Sequence, residues 1–326
     1  MLVSGMGSEL GSLVASLLES ESWVGELMGI DVDPPRRRLR KAQFQRIEPH
    51  EHARIVDSIA SFDPHIIVHI AVWEPDARAS LRHAKRMTEE FGSAVFAAAS
   101  SRCESLTHLV VRSAAEVYGR RRGCVECPDE STPLDPTTEF GRMALQIEQM
   151  ASAVAEQRPL SVGLLRLAPV LGPHVPSPLG RLLRQPAVPY SLLTNPSFSV
   201  IRDTDAAAAF VMAARTGLAE PLNIVADGEM SAWHALRRGK RIPLPLSGPE
   251  WGLVSRLSHI AGAPVPDHVV ELLTRGRTIS GDHARRVYDF TPEHTTAEVV
   301  DRLYAWPDVI RIVKPVSERG QQRGAA

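Results

Sequence analysis

Seven residues near the start of the chain, Gly5-Met6-Gly7-Ser8-Glu9-Leu10-Gly11, have the types and spacing to hold an anion on main-chain amides. Met1 to Ser4 reads as a strand, and Leu10, Leu13, Val14, Leu17 and Leu18 fall at helical spacing. A glycine turn between strand and helix aims backbone N–H groups and the positive helix end at a pyrophosphate. Glycine is needed where the backbone turns tightly or meets the ligand closely. The spacing is GxGxxxG, with Ser8 in the middle. Asp31 stands twenty residues after Gly11, at the end of the next strand candidate. A carboxylate there accepts from a ribose 2′-OH and repels a 2′-phosphate, which predicts NAD as the cofactor. Arg36, Arg37 and Arg38 follow and keep NADP open as the less favoured one, although a solvated loop or helix face is the favoured account of the basic run from Arg36 to Lys41.

Other constellations carry less. Cys124-Val125-Glu126-Cys127 is a CxxC, but a structural zinc needs four ligands and no second pair exists, so the two read as loop cysteines. The twelve histidines do not cluster at ligand spacing, and no metal is expected. Asp203 and Asp205 lie before a helix candidate and suit a cap better than an acid/base pair.

The elements that must position the turn follow a strand–helix alternation. Strands are expected at 23–30, 65–71, 108–113 and 161–167, and helices at 52–62, 76–101 and 140–156. Short buried apolar runs separated by helices predict an α/β doubly wound parallel sheet, the Rossmann arrangement. Prolines 173, 176, 178, 186 and 189 then break the chain into short pieces, with helices resuming at 205–214 and 249–261. The expected organisation is a dinucleotide-binding domain over residues 1–172, with returning segments near 200–228. A smaller C-terminal α/β substrate lobe spans 173–313, and 314–326 form a disordered tail. Of the 326 residues 44% are hydrophobic and 23% charged, the profile of a globular protein. A net charge of −1 and 5% aromatics argue against a nucleic-acid partner. No apolar run approaches the roughly 18 residues of a membrane span, the N-terminus lacks a signal-peptide pattern, and three cysteines fit a reducing compartment. A cytoplasmic location is expected.

Several motifs, in order along the chain, give a family resemblance. Ser4 to Gly11 is similar to a TGxxGxxG turn, with Ser8 at the middle glycine, and His69-Ile70-Ala71-Val72 to an HLAA strand end. Residues 113–119 resemble SSxxVYG, 129–136 ExxPxxP, 166–173 RxxNxxGP, and 222–228 a YNhGxG strand, and Asp205 falls in an hhxxDhA helix entry. The chain thus resembles the extended short-chain dehydrogenase/reductases, specifically the NAD-dependent epimerase/dehydratase family typified by UDP-glucose 4-epimerase. The resemblance implies that Gly5, Gly7, Ser8, Glu9, Leu10, Gly11, Asp31, Ile70, Ala71, Val72 and Leu167 hold the cofactor. It also implies a homodimer formed through two helices per subunit.

In that family a Tyr-x-x-x-Lys pair and a serine carry hydride chemistry. A phenol must be shifted by a nearby cation to work at neutral pH. The matching positions here are Phe140, Ala144 and Ala114, and none of the four tyrosines is followed four residues later by lysine. The asparagine of RxxNxxGP, a substrate contact in sugar-nucleotide epimerases, is Pro169. Ser113, Glu116 and Tyr118 remain as replacement acid/base candidates, and Arg142 as a cation on the active-site helix. The sequence therefore predicts an NAD-binding protein without the family's redox chemistry, a pseudoenzyme or regulatory protein. The alternative is an active NAD-dependent epimerase, dehydratase or dehydrogenase that uses other acid/base groups on a sugar nucleotide or another small substrate.

Overall fold

The computed structural model describes residues 1–76, 79–247 and 265–306. The first half comprises β1 (Leu2–Ser4), α1 (Glu9–Leu18), β2 (Met28–Asp31), β3 (Gln43–Arg46), α2 (His52–Phe62), β4 (Ile66–His69) and α3 (Leu81–Ser101). It continues through β5 (His108–Ala114), a 3-10 turn (Ala115–Tyr118), α4 (Glu139–Gln157) and β6 (Ser161–Leu167). The chain then enters β7 (Val170–Leu171), α5 (Pro178–Leu183), β8 (Ala187–Ser191), β9 (Ser197–Phe198) and β10 (Ile201–Arg202). It returns through α6 (Asp203–Thr216) and β11 (Pro221–Ile224). Beyond these lie β12 (Met230–Ser231), α7 (Ala232–Arg238), β13 (Ile242–Leu246), α8 (Asp267–Arg275), α9 (Asp282–Tyr288) and α10 (Thr296–Ala305).

Seven strands form one parallel sheet in the order β3-β2-β1-β4-β5-β6-β11. Strand order reverses between β1 and β4, and ligands of such sheets bind in the crevice that opens there. The central strands are apolar because helices cover both faces: Leu2, Val3, Ile67, Val68, Leu109 and Val110 are fully buried. A second apolar core gathers Leu171, Leu183, Phe198, Val200, Leu236, Leu273, Val299 and Val300, under the segments that follow β6 and β11. No helix among the described residues is long and apolar enough to cross a membrane.

Three expected boundaries move and one strand is added, each for a local reason. The second strand is Met28–Asp31 rather than 23–30, because β1 offers only Leu2–Ser4 to pair with it. β3 was not expected: Gln43-Phe44-Gln45-Arg46 is an exposed edge strand with one apolar residue, so it leaves no hydrophobic pattern. The third helix starts at Leu81, not Asp76, because Asp76 Oδ1 accepts from the Ala79 amide in a turn and Ser80 then caps the helix. Asp203 and Asp205 lie inside the first turn of α6, and its cap position is Arg202. The helix expected at 249–261 and the tail at 314–326 lie outside the described residues.

Candidate functional site

At the β1/β4 switch point a groove of about 290 Å3 is bordered by Gly5, Gly7, Ser8, Glu9, Leu10 and Asp31 on one side and by Ile70, Ala71 and Val72 on the other. Close packing accounts for the glycines. A β-carbon on Gly5, whose φ is +84°, would stand 2.6 Å from the Ala71 nitrogen. One on Gly7 would stand 2.0 Å from the Asp33 carbonyl oxygen. Gly11 does not reach the groove; its β-carbon would stand 1.9 Å from the Gly5 oxygen, so it serves the contact of α1 with β1. Ser8 caps α1 by accepting from the Gly11 amide at 2.9 Å and donating to the Gly5 carbonyl at 2.8 Å. The next two amides, of Glu9 and Leu10, have no acceptor among the described residues. They are the orphan donors of a helix start, at a groove wall, and fit an oxyanion.

Asp31 is buried at the groove's end, accepting from the Gly7 amide at 2.7 Å and the Val32 amide at 2.6 Å. Burial pushes its carboxyl up, to about 6; the two amide bonds oppose that and neighbouring Asp33 adds to it. Five carboxylates line the groove, but three carry their own cation: Glu9 pairs with Arg37 at 3.2 Å, Asp76 with Arg181 at 3.0 Å, and Glu74 with His268 at 3.0 Å. The other two, Asp31 and Asp33, have no ion-pair partner among the described residues and set the charge at their end of the groove. Arg36 borders the groove and donates to the Gly7 carbonyl at 3.3 Å.

Beyond Val72 the groove runs into the expected reaction centre, which the protein has filled with its own side chains. Ala114, Phe140, Pro169 and Leu167 border a space of only about 20 Å3. Leu167, expected at the cofactor, lies here rather than in the groove. Helix α8 closes the space with His268, Val269 and Leu272, and Leu179 of α5 closes it from beside them. The His268 ring packs on Phe140 with centroids 4.9 Å apart. Its Nε2 is 3.0 Å from Glu74 Oε1, and Asp267 Oδ1 lies 3.7 Å from Nδ1. Burial alone would lower the imidazole's pKa; the Asp267 and Glu74 carboxylates outweigh it and hold it at about 9. Arg112, on the groove side of β5, donates to the Val72 carbonyl at 3.0 Å, and burial pulls its guanidinium down against the fields of Glu74 and Glu116. Glu116 faces Arg277 at 3.4 Å, and Arg277 reaches Glu271 of α8 at 2.5 Å. Ala144 is fully buried and borders neither space.

The replacement candidates separate. Ser113 and Tyr118 are committed elsewhere: Ser113 Oγ donates to Glu148 at 2.5 Å, and Tyr118 Oη donates to Asn223 Oδ1 at 2.8 Å while accepting from Arg166 at 3.0 Å. Arg166 and Glu148 form a buried two-pronged pair at 2.9 and 2.8 Å that ties β6 to α4. Burial raises the Tyr118 phenol above its ordinary value, which further unfits it for proton transfer. Arg142 is exposed and bonded to Glu139. Ser113 and Glu116 both border the closed centre, the Ser113 hydroxyl engaged by Glu148 and the Glu116 carboxylate facing Arg277. Sequence reading missed Glu74, Arg112 and His268. Glu74 and Arg112 lie within or beside the quoted strand ends and could have been flagged as charges where apolar or small groups are usual. His268 had no local signal.

Cys124 and Cys127 are exposed on a loop. Asp205, Glu293 and His294 bring ligand-type atoms within 4.8 Å of one another, but Arg202 Nη1 stands 2.5 Å from His294 Nε2, and a guanidinium there opposes a cation.

The chain is similar, at 27% identity over 97% of its length and 86% of the relative's, to an uncharacterized protein of Mycobacterium tuberculosis. Among solved structures it resembles the Bordetella bronchiseptica enzyme WbmH in complex with NAD+, at TM-score 0.71 and 16% identity, covering 94% of this chain and 97% of that one. It likewise resembles a Brucella ovis UDP-glucose 4-epimerase in complex with NAD, at TM-score 0.70 and 16% identity, covering 93% and 96%. A family model described as the NAD dependent epimerase/dehydratase family matches residues 1–223, and the chain belongs to that family.

Proposed function

We propose that this protein binds NAD in the β1/β4 groove and does not run the redox cycle of its family. It is a cofactor-binding protein with a structural or regulatory role. One observation carries the reading: the place where a substrate would meet the nicotinamide is filled by His268, Val269 and Leu272, leaving about 20 Å3. That volume admits a single water and no sugar ring. The residues that would transfer and hold the proton are Ala114, Phe140 and Ala144, which have no proton to give and no charge to stabilise a phenolate.

For the cofactor, the free amides of Glu9 and Leu10 would receive the pyrophosphate. Each oxygen of Asp31 keeps a lone pair free for ribose hydroxyls. NAD bound by other proteins of similar fold supports this assignment. NAD is preferred over NADP because Asp31 and Asp33 stand together where a 2′-phosphate would lie, with Arg36 bordering the same groove.

A second reading is favoured by one contact. Glu74 borders both the groove and the closed centre, and it holds His268 against Phe140. If α8 moved aside, this His–Glu pair would be an acid/base couple beside the nicotinamide. Calorimetric titration with NAD and NADP, paired with a UDP-hexose epimerisation assay, separates the readings. NAD binding without turnover supports the first. Turnover abolished by His268→Gln supports the second, and absence of dinucleotide binding overturns both.

A further inference from the structure

A larger cavity, of about 720 Å3, lies between the loop of residues 120–127, the approach to β9 and the turn that follows α8. It shares no lining residue with the groove or with the closed centre. Arg120, Arg121, Arg122, Arg275 and Arg277 border it against two carboxylates, Glu126 and Glu229. Two of the arginines are neutralised: Arg121 by Asp135 at 2.7 Å, and Arg277 by Glu271 and Glu116. Arg120, Arg122 and Arg275 have no carboxylate within ion-pair distance among the described residues.

Arg120 is the unusual member, being only 4% exposed. Its Nη1 donates to the carbonyls of Val125 and Glu126 at 3.0 and 2.7 Å, its Nη2 to the Thr278 carbonyl at 2.7 Å, and its Nε has no acceptor. A guanidinium placed so has hydrogen bonds to neutral oxygens and no carboxylate within ion-pair distance among the described residues, which is a costly way to bury a cation. Arg275 Nη1 donates to the Arg120 carbonyl at 2.8 Å, so the two positive residues are joined by the backbone that walls the cavity. Burial and the nearby Arg277 cation press the Arg120 guanidinium below its ordinary value, against the opposing pull of the Cys124 side chain and the Glu271 carboxylate. An anion in the cavity would relieve that pressure.

We propose that this cavity binds a phosphate-bearing small molecule, with Arg120, Arg122 and Arg275 as its cationic wall. A phosphoryl group brings close to two negative charges and three acceptor oxygens, which suits several converging guanidinium groups better than one carboxylate does. Glu126 and Glu229 on the same wall repel an extended polyanion and limit the ligand to a compact one. The site is independent of the dinucleotide groove and does not rest on NAD binding.

The test is isothermal titration of the full chain with inorganic phosphate and, separately, with glycerol phosphate, at low salt. Variants are Arg122→Ala, Arg122→Ala/Arg275→Ala, and Arg36→Ala as a control in the groove. The Arg122 side chain makes no hydrogen bond or ion pair among the described residues, so its single variant keeps the fold even where the double variant does not. Binding of either probe is expected in the wild type and in Arg36→Ala. It should weaken about tenfold or more in the Arg122 variants, and it should fall as salt rises. Binding of phosphate alone identifies a free anion as the ligand; binding of the ester identifies a phosphorylated metabolite. No binding of either probe, unchanged binding in the Arg122 variants, or loss in Arg36→Ala instead would each overturn the proposal.

Discussion

Replacing His268 by glutamine should change how stability depends on pH, and it tests whether the reaction centre is a permanently packed part of the fold. The imidazole is fully desolvated, sits against Phe140, and is charged because Asp267, Glu74 and Glu116 surround it, with Arg112 bordering the same space. Its pKa is about 9 in the folded chain against an ordinary 6.5. A raised pKa means that the folded state binds the proton more tightly than the unfolded state. The resulting stabilisation is therefore complete below pH 6.5 and lost as pH rises through about 9. The shift corresponds to about 3 kcal/mol. Urea denaturation at about pH 6 and about pH 10 should show the wild type losing about 3 kcal/mol more than His268→Gln, because other titrating groups are common to both. Equal losses in the two proteins would refute the reasoning: His268 would then be solvated in solution and α8 would not be seated over Phe140.

Further predictions concern the groove and the lost catalytic positions. Because burial holds the Asp31 carboxyl at about 6, its charge disappears as pH falls through that value, and the preference for NAD over NADP should narrow there. Affinities for both dinucleotides that keep a constant ratio across that range would count against the assignment. Gly7→Ala puts a carbon 2.0 Å from the Asp33 oxygen and should cost about 1–3 kcal/mol and abolish dinucleotide binding. Gly25→Ala, where nothing lies within 4 Å, should leave Tm and binding unchanged in the same melts and titrations. Restoring Ala114→Ser, Phe140→Tyr and Ala144→Lys together should yield no epimerase activity, and Ala144→Lys alone should lower Tm, since it buries an ammonium at a fully covered position. Glu148→Ala should destabilise by about 3–5 kcal/mol, because it leaves the Arg166 guanidinium buried without its partner.

The Rossmann half was legible because its signals are local. Glycines at the end of β1, apolar runs at β4 and β5, and the helical spacing after Leu10 each report on a few neighbouring residues. The groove followed from the same stretch. What could not be read depends on contacts between distant segments. His268 meets Phe140 across more than a hundred residues, and nothing in Asp267-His268-Val269 announces it. Ser113 and Tyr118 passed as acid/base candidates because their partners, Glu148, Arg166 and Asn223, come from three other elements. Ala114, Phe140 and Ala144 were plain in the sequence; that His268, Val269 and Leu272 of α8 close the space beside Ala114 and Phe140 is a tertiary fact.

The most direct test of the account is one titration followed by one assay on the same sample. The purified chain is titrated with NAD by calorimetry, then the NAD-loaded protein is given a UDP-hexose while nicotinamide absorbance and sugar epimers are monitored. The account predicts saturable binding of one NAD per chain and neither reduced cofactor nor epimerised sugar. Epimerisation or cofactor reduction at ordinary enzymatic rates would contradict it.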